Sequence, residues 1–505
     1  MKKIVIIGGG IAGLSAGCYA MMNGYDAQIF EMHTLPGGVC TAWKRNGYTI
    51  DGAVNWVMGT QPGSLYYRYW QEVGAVTNWK IYDHERFMVV ENREGRALTF
   101  YCDADRLEQH LLEIAPEDTE PIREFTAGIR RSSTFPMVID KPEELYGLFD
   151  ILKALKMLPM LRFMKKWNKR SIGDFVARLK NPFLKEVLPL AFGSEFSSEF
   201  GPDYPMAMLM MTLGCQHSRS AGYIIGGALR LARSIEKRYL DLGGKIRYNA
   251  PVKKILVEND RAVGVRLADS SEYRADWVIS AADGHSTIFN MLDGKYVDHT
   301  ITERYEDPNL FEPLVYVGLG VAHQYTDLPV GICGFTYPLD TPITIAGRVE
   351  RTLTVRSYAY DPTLAPEGKD VLIVQFCTDY DYWNDLYQDQ ERYRAEKKRI
   401  VADLIDRLEQ RFPGISANIE MTDVATPITW VRYTGNWRGS YEGWMFDMDS
   451  MLSSIKKTLP GLDRFYMAGQ WVNPGGGLPT AVMSGNHTVQ LICNKDKRKF
   501  VTNVP

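Results

Sequence analysis

The sequence predicts an α/β fold around a parallel sheet that is assembled from distant parts of the chain. Three observations lead to this prediction. Near the N-terminus a β-branched run, Lys3–Ile7, is followed by a glycine-rich turn, a small-residue helix and a second strand. Further strand-like apolar runs occur at residues 277–283 and 465–469. The long stretches between them contain strand-like runs and strongly periodic helices, which predicts a second part with a mixed sheet and helices.

Composition limits the class of protein. The chain has 505 residues, 58 Lys and Arg against 61 Asp and Glu, and a formal net charge of −3. This length predicts at least two domains, and the near-neutral charge argues against a general nucleic-acid-binding protein. Seven cysteines without a CxxC pair argue against a disulfide framework or a metal site. We therefore expect a cytoplasmic protein without a metal. The sequence contains no run of 18 uncharged apolar residues, so we expect no transmembrane helix.

The first element is a βαβ unit with a GxGxxG turn. The three glycines of the motif are Gly8, Gly10 and Gly13, and Ile11 and Ala12 lie between the last two. Gly8 permits the tight turn, Gly10 leaves room for a pyrophosphate beside the backbone, and Gly13 allows close packing of helix on strand. We predict a helix over residues 14–23 that Gly24 ends, and a second strand over 27–31.

An acidic residue stands at the end of the second predicted strand. Glu31 is placed to accept hydrogen bonds from a ribose diol, and its charge disfavours the 2′-phosphate of NADP. Phosphates would lie at the N-terminus of the preceding helix, where unpaired N–H groups and the helix dipole attract anions. These features together predict a dinucleotide-binding site.

A second glycine pair indicates a cofactor longer than NAD. Gly37 and Gly38 follow Pro36, shortly beyond the acidic residue and its neighbour Met32. An NAD site needs no such pair, whereas an extended cofactor would use it to pass close to the backbone. No second GxGxxG is present, because the stretch 318–323 begins the pattern and fails at its last position. A separate pyridine-nucleotide domain is therefore not expected.

These residues and two later blocks resemble FAD-dependent flavoproteins of the amine-oxidase type. Within that superfamily the sequence is most similar to the group of phytoene desaturases, carotenoid isomerases and retinol saturases. The later blocks are residues 226–252 and 465–485, with a weaker match at 425–435, so the resemblance extends over essentially the whole chain. It implies that FAD is the cofactor and that the flavin domain is discontinuous.

The resemblance also implies which residues bind FAD. In the family the residue matching Val252 meets the adenine through its backbone, and Trp56 would border the flavin. The closing block would place a strand end at the ribityl chain and a helix N-terminus at the flavin. The residues implied there are Gly469, Gln470, Gly477 and Leu478.

Two positions depart from the family pattern. The family commonly has a basic residue directly after the glycine pair, where this chain has Val39 and Cys40. Carotenoid isomerases and retinol saturases also lack that residue, so the departure favours those subgroups. Gln470 stands where the family usually has Asp, and it can hydrogen-bond a ribityl hydroxyl without bringing a charge.

The spacing of these blocks predicts the domains. An FAD-binding domain would comprise residues 1–84, 216–304 and 451–505, and a substrate domain residues 85–215 and 305–450. Within the latter, apolar residues from 148 to 158 form one face of a predicted helix that ends before Pro159. Basic residues and a Trp follow up to residue 170. The region near 145–170 is thus a candidate peripheral membrane contact, with packing on the flavin domain as the alternative.

The resemblance implies an FAD-dependent oxidoreductase acting on C–C bonds of a polyene, isoprenoid or other long apolar substrate. Desaturation, saturation and isomerisation stay open, with hydride transfer at flavin N5. The alternatives are an amine-oxidase-like or porphyrinogen-oxidase-like flavoenzyme and a non-catalytic binding protein of this fold. The sequence names no catalytic residue and no oligomeric state. The candidates for proton transfer or substrate contact, each with a structural role as its alternative, are Asn55, Trp56, His217, Arg432 and Tyr433.

Overall fold

The structure is a computed structural model of the whole chain. It describes residues 1–76, 79–135, 140–150, 155–193, 203–306, 308–445 and 455–505.

A five-stranded parallel sheet forms the centre of the nucleotide-binding part. In spatial order its strands are Lys245–Arg247, Asp26–Phe30, Lys3–Ile7, Trp277–Ser280 and Phe465–Met467. Alternate residues of the first strand enter different cores, with Ile4 and Ile6 on one face and Val5 and Ile7 on the other. This is the pattern of a strand buried on both faces, as its β-branched sequence predicts.

Helices and a small sheet cover the two faces. One core contains side chains from the helices Ile11–Met22, Gly227–Asp241 and Leu478–Lys495. The other core contains side chains from an antiparallel sheet. The strands of that sheet are Val252–Glu258, Arg261–Leu267 and Glu272–Arg274. The first helix begins at Ile11, three residues before the predicted start, and Gly24 follows its end with φ of +73°.

A seven-stranded sheet forms the second part. In spatial order its strands are Ile419–Ala425, Leu314–Val321, Asp370–Cys377, Arg348–Ser357, Phe335–Ile345, Arg86–Glu91 and Ala97–Tyr101. The pairing is antiparallel except between Phe335–Ile345 and Arg86–Glu91. The helix Gln390–Arg411 buries Leu404 and Leu408, as its periodicity predicts.

Helices form a third group beside this sheet. They are Ala104–Ile114, Thr119–Ser132, Leu158–Trp167, Ile172–Ala177, Pro182–Gly193 and Met206–His217. The predicted helix does not continue unbroken to Pro159: residues 148–150 are helical, but Leu155–Met157 is a 3₁₀ turn and Pro159 lies in the first turn of Leu158–Trp167. Proline is tolerated there because the first-turn N–H groups have no helical partner. Two of the predicted apolar positions, Ile151 and Leu152, lie outside the described residues.

The remaining elements connect these parts. The other strands are Ala42–Arg45, Tyr48–Asp51, Val57–Met58, Ile81–Tyr82 and Ala221–Ile224. The other α-helices are Leu65–Glu72, His299–Glu306, Tyr380–Tyr387 and Pro427–Thr434. The strands of the five-stranded sheet come from 1–84, 216–304 and 451–505, and those of the seven-stranded sheet from 85–215 and 305–450. The domain boundaries themselves stay a prediction.

Candidate cofactor and substrate site

A cavity of about 1320 Å³ extends along the carboxyl ends of the parallel strands into the helical and mixed-sheet parts. In doubly wound sheets ligands bind at this edge. One side of the cavity is mainly backbone, and we call it the glycine wall: residues 8, 10–12, 37–38, 469 and 475–478. Another part of the lining carries larger side chains, and we call it the side-chain wall: Trp56, Tyr204, Met208, Phe311, Tyr441 and Glu442.

The N-terminal part of the glycine wall is fixed by Glu31. Its Oε2 accepts a hydrogen bond from the Gly9 N–H at 2.6 Å, and its Oε1 accepts one from the His33 N–H at 2.7 Å. Burial raises the pKa of this carboxyl, and those two hydrogen bonds oppose the rise. Each carboxylate oxygen has a further lone pair, so Glu31 retains the capacity to accept a hydrogen bond from a ligand.

The two glycine turns approach each other across the cavity edge. The Gly37 N–H donates to Gly9 O at 2.9 Å, and Gly37 has φ of +111°, a left-handed conformation that glycine adopts without strain. A Cβ added to Gly10 would meet only Gly37 O, at 3.8 Å. The space beside the Gly10 backbone is therefore open, as the passage of a diphosphate requires.

The C-terminal part of the glycine wall precedes the last helix. Gly477 has φ of +81° and stands at the N-cap of Leu478–Lys495, with no side chain capping the helix. The Gly469 N–H donates to Ser484 Oγ at 2.8 Å, which holds the strand end against that helix. The side-chain amide of Gln470 lines the cavity and has no hydrogen bond within the described residues, so it is available to a ligand.

Two helix N-termini open into the same cavity. The helix Ile11–Met22 starts at Gly10 and also lacks a side-chain cap. It lies against Leu478–Lys495, because Ser15 Oγ donates to Val482 O at 2.8 Å and a Cβ on Gly485 would be 2.6 Å from Ala12 O. First-turn N–H groups and the positive ends of the two helix dipoles thus favour negative charge in the cavity.

The structure brings the predicted cofactor residues together, with one exception. Those that line the cavity are Gly8, Gly10, Ile11, Ala12, Glu31, Met32, Gly37, Gly38, Trp56, Val252, Gly469, Gln470, Gly477 and Leu478. Gly13 does not line it. A Cβ there would be 2.0 Å from Gly8 O, and Gly13 therefore serves the close packing of helix on strand.

Some of the predicted candidates for proton transfer or substrate contact line the cavity, and others do not. Tyr433, Asn55 and Trp56 line the cavity, and Asn55 Oδ1 accepts a hydrogen bond from the Tyr358 hydroxyl at 2.7 Å. His217 does not line it, because its Nδ1 accepts the Ala104 N–H at 3.1 Å at the start of another helix. Arg432 also lies outside the cavity lining, with its guanidinium 5.4 Å from the Tyr433 ring.

Three cavity carboxyls, those of Asp203, Asp283 and Glu442, were missed by the sequence reasoning. Asp283 accepts the Ser286 and Trp437 N–H groups at 2.7 and 2.8 Å, and burial raises its pKa to about 7. Burial likewise raises the pKa of Glu442 to about 7. Glu442 lies between two glycines, Gly439 and Gly443, and these glycines are the sequence signal that indicates a turn there.

The residues present fit FAD. The open space at Gly10 suits a diphosphate, the two uncapped helix N-termini suit negative charge, and Glu31 suits a ribose. The cavity also exceeds the roughly 300 to 1,000 Å³ of ordinary ligand sites. It therefore has room for a long cofactor and a second molecule. The fold and this site define an α/β oxidoreductase of the flavin-binding class.

Comparison with known proteins gives the family. Residues 11–493 match the family model "Flavin containing amine oxidoreductase", so the chain belongs to that family and is an FAD-dependent oxidoreductase. It is 25% identical to the neurosporene-forming phytoene desaturase of Rhodobacter capsulatus, over 98% of this chain and 95% of the relative. It is 24% identical to the chloroplastic prolycopene isomerase of Arabidopsis thaliana, over 99% of this chain and 84% of the relative. The predicted family is confirmed.

Solved structures share the fold. An oxidoreductase from Methanosarcina mazei superposes with a TM-score of 0.59 at 16% identity, covering 97% of this chain and all of that one. A putrescine oxidase variant superposes with a TM-score of 0.61 at 12% identity, covering 98% and 99% of the two chains. These identities support the fold and say nothing about the substrate.

Proposed function

We propose that this enzyme acts on C–C bonds of a long apolar substrate, a polyene or isoprenoid, by desaturation, saturation or isomerisation. The observation that carries the proposal is the cavity, which continues from the glycine wall to apolar side chains such as Tyr204, Met208 and Phe311. An extended apolar molecule would bury its surface there without leaving polar groups unpaired. The relatives named as a phytoene desaturase and a prolycopene isomerase support the same substrate class.

We infer how the chain would hold FAD. The first-turn N–H groups near Gly10, Ile11 and Ala12 would bind the diphosphate, with Gly8, Gly37 and Gly38 leaving room for it. Glu31 and Met32 would contact the ribose, and Val252 the adenine. The ribityl chain and flavin would be contacted by Gly469, Gln470, Gly477, Leu478 and Trp56.

When bound, FAD supplies hydride transfer at N5. The chain's own contribution is to orient the substrate and adjust charge near the reacting atoms. The N-terminus of Leu478–Lys495 would stabilise the negative charge of the reduced cofactor. The side-chain wall would keep water away from the substrate.

A visible spectrum of the purified holoenzyme tests the proposal. It would be recorded before and after anaerobic addition of a carotenoid, retinol, an unsaturated fatty acid and an aromatic amine. Bleaching of the oxidised flavin band by a polyene is the result expected for a desaturase. Conversion of a polyene only by dithionite-reduced enzyme would indicate saturation or isomerisation. Bleaching by the amine alone would favour the amine-oxidase alternative and contradict the proposal.

We also propose that the chain contacts anionic membranes peripherally, with the cytoplasm as its location. Leu148 and Phe149 are each 81% exposed, and Leu158 and Leu161 on the helix Leu158–Trp167 are 40% and 44% exposed. Asn168, next to the end of that helix, lines the cavity, so a substrate that leaves the membrane beside this helix would have a short path to the cavity. Among the helices of the described residues, none is long and apolar enough to cross a membrane.

Co-sedimentation with liposomes tests this contact. On the same helix region Arg162, Lys165 and Lys169 are exposed and make no ion pair within the described residues. The variant Arg162→Gln/Lys165→Gln/Lys169→Gln should bind phosphatidylglycerol vesicles about 100-fold more weakly, since each of the three basic residues near an anionic surface contributes about 1 kcal/mol. A wild-type protein that does not sediment with these vesicles would contradict the proposal.

A further inference from the structure

Glu442 lies at the apex of a tightly held turn. The Ser440 hydroxyl donates to Gly443 O and accepts from the Gly443 N–H, both at 3.1 Å, and Ser440 is fully buried. On the other side, Trp444 Nε1 donates to Trp471 O at 3.1 Å. The turn is thus fixed at both ends, so Glu442 is presented to the cavity from a defined backbone position.

This turn packs directly against the glycine wall. A Cβ added to Gly476 would be 2.6 Å from the Glu442 Cβ, and the Gly475 N–H donates to Trp444 O at 3.0 Å. A Cβ on Gly443 would be 3.2 Å from Gln470 Cγ. Glu442 therefore stands where the side-chain wall meets the residues that we assign to the flavin.

The carboxyl of Glu442 differs from those of two buried acidic residues of the cavity, Glu31 and Asp283. Glu31 and Asp283 each accept two backbone N–H groups. Glu442 has no hydrogen bond and no ion pair within the described part of the chain. Such an unpaired carboxyl costs stability in a partly desolvated place, so its presence calls for a role in binding or chemistry.

The charged groups near the turn do not pair with the Glu442 carboxyl either. The titratable groups on the segments packed against the turn are Arg304, Tyr305, Tyr441 and, beyond Asn473, Lys457. None of them bonds to Glu442, and burial alone raises its pKa to about 7. A carboxyl with that pKa is populated in both protonation states near neutral pH, which suits a group that gives and takes a proton.

We propose that Glu442 is the proton-transfer residue of this enzyme. The inference rests on the proposed function. An apolar polyene brings no cation, so the Glu442 carboxylate would not serve to bind the substrate by an ion pair, as it could with an amine. In desaturation two C–H bonds break and one C=C bond forms. FAD, when bound, would accept one hydrogen as a hydride with two electrons. The other hydrogen, on the neighbouring carbon, would leave as a proton to the Glu442 carboxylate, which would later release it to water. Saturation uses the same groups in reverse, with Glu442 as the donor.

The test compares wild-type holoenzyme with Glu442→Gln, which keeps the shape of the side chain but takes no proton. Both are mixed anaerobically with a carotenoid, in the oxidised form and after reduction with dithionite. Glu442→Gln should convert substrate about 100- to 10,000-fold more slowly, with unchanged affinity for FAD and carotenoid. Glu442→Asp should recover part of the rate. Glu94→Gln, at an exposed turn outside the cavity lining, should equal wild type.

A second measurement does not depend on turnover. The infrared difference spectrum between wild type and Glu442→Gln, titrated from pH 5 to 9, should contain a carboxylic-acid C=O band that disappears with a midpoint near 7. Absence of that band would overturn the proposal. So would a Glu442→Gln rate within threefold of wild type, or loss of FAD from this variant, which would make Glu442 a cofactor ligand.

The two measurements separate this inference from the proposed function. If wild type converts no polyene in either redox state, the proposed function fails, and the role of Glu442 in that reaction fails with it. If wild type converts a polyene and Glu442→Gln is equally fast, only the inference about Glu442 fails. If an amine is the substrate and Glu442→Gln weakens amine binding without lowering the maximal rate, both fail. In that case the carboxylate would be an anion that pairs with the amine.

Discussion

The two walls of the cavity differ in the groups that form them: one presents mainly backbone and the other mainly side chains. The glycine wall consists of backbone in left-handed turns and of helix N-termini, such as those at Gly10 and Gly477. The side-chain wall consists of rings, thioethers and one carboxyl on loops and helices, among them Tyr204, Met208 and Glu442. A backbone site tolerates almost no added atom, whereas a side-chain site changes by degrees. Mutation should therefore abolish FAD binding abruptly at the glycine wall, whereas substrate binding at the side-chain wall should change gradually.

The largest effect on FAD binding is expected at Gly10. In Gly10→Val the isopropyl group would occupy the open space beside the backbone, where we place the diphosphate. We expect purified Gly10→Val to be colourless, with FAD affinity lowered at least 100-fold in a fluorescence titration. Gly147→Ala is the control, since a Cβ there would meet only Asp150 Oδ2 at 3.7 Å. Full flavin content in Gly10→Val would refute the assignment of the glycine wall.

Gly13→Ala should act on stability, because Gly13 packs against backbone. Its Cβ would be 2.0 Å from Gly8 O, a contact that only a backbone shift relieves. We expect the free energy of unfolding to fall by about 1–3 kcal/mol in urea titrations. Gly17→Ala on the same helix should cost less, because its Cβ would meet the Tyr239 ring at 2.8 Å, and a side chain yields more readily. Equal losses in both variants would contradict this distinction.

Low pH should reduce the free energy of unfolding through His487, which lies in the helix that follows the glycine wall. This residue is buried in the helix Leu478–Lys495, and burial, with nearby Lys457, lowers its pKa to about 3. Below pH 6.5 the unfolded chain binds a proton that the folded protein refuses, so stability falls as pH falls from 6.5 toward 3. The slope is up to about 1.4 kcal/mol per pH unit.

Urea titrations at pH 5, 6 and 7 check this contribution. His487→Gln should show a smaller loss of unfolding free energy between pH 6 and 5 than wild type, by about 1 kcal/mol. The same substitution at His299, which is exposed, serves as the control and should leave the slope unchanged. Parallel curves for wild type and His487→Gln would show that His487 does not contribute.

The smallest effect is expected at Gln470, which lies next to the boundary of the two walls. Gln470→Asp should tighten FAD binding by a few-fold or leave it unchanged, since a carboxylate accepts a stronger hydrogen bond from a ribityl hydroxyl. The new charge would also lie close to Glu442 and raise the midpoint of its infrared titration. A large loss of FAD affinity would mean that the Gln470 amide donates a hydrogen bond that Asp cannot replace.

The two walls were also predictable to different degrees. The glycine wall follows from local sequence, because Gly8, Gly10 and Gly37 have residue types that only a tight turn or a close approach requires. Glu442 and Asp283 escaped prediction, because their roles depend on which segments the tertiary fold brings beside them. Pro159 was misread as a helix end because proline suits the first turn of a helix as well as the position after one. His217 shows the same limit, since only its partner Ala104 identifies it as structural.

The contact between the helices Ile11–Met22 and Leu478–Lys495 has a consequence for biosynthesis. Ser15 of the first helix and Val482 of the second are hydrogen-bonded although they lie 467 positions apart in the sequence, and both helices contribute to one cavity. The nucleotide site is therefore incomplete in any nascent chain that has not yet reached the second helix. Flavin loading must wait until that helix has emerged from the ribosome, and shorter nascent chains have to be kept from aggregating without help from the cofactor.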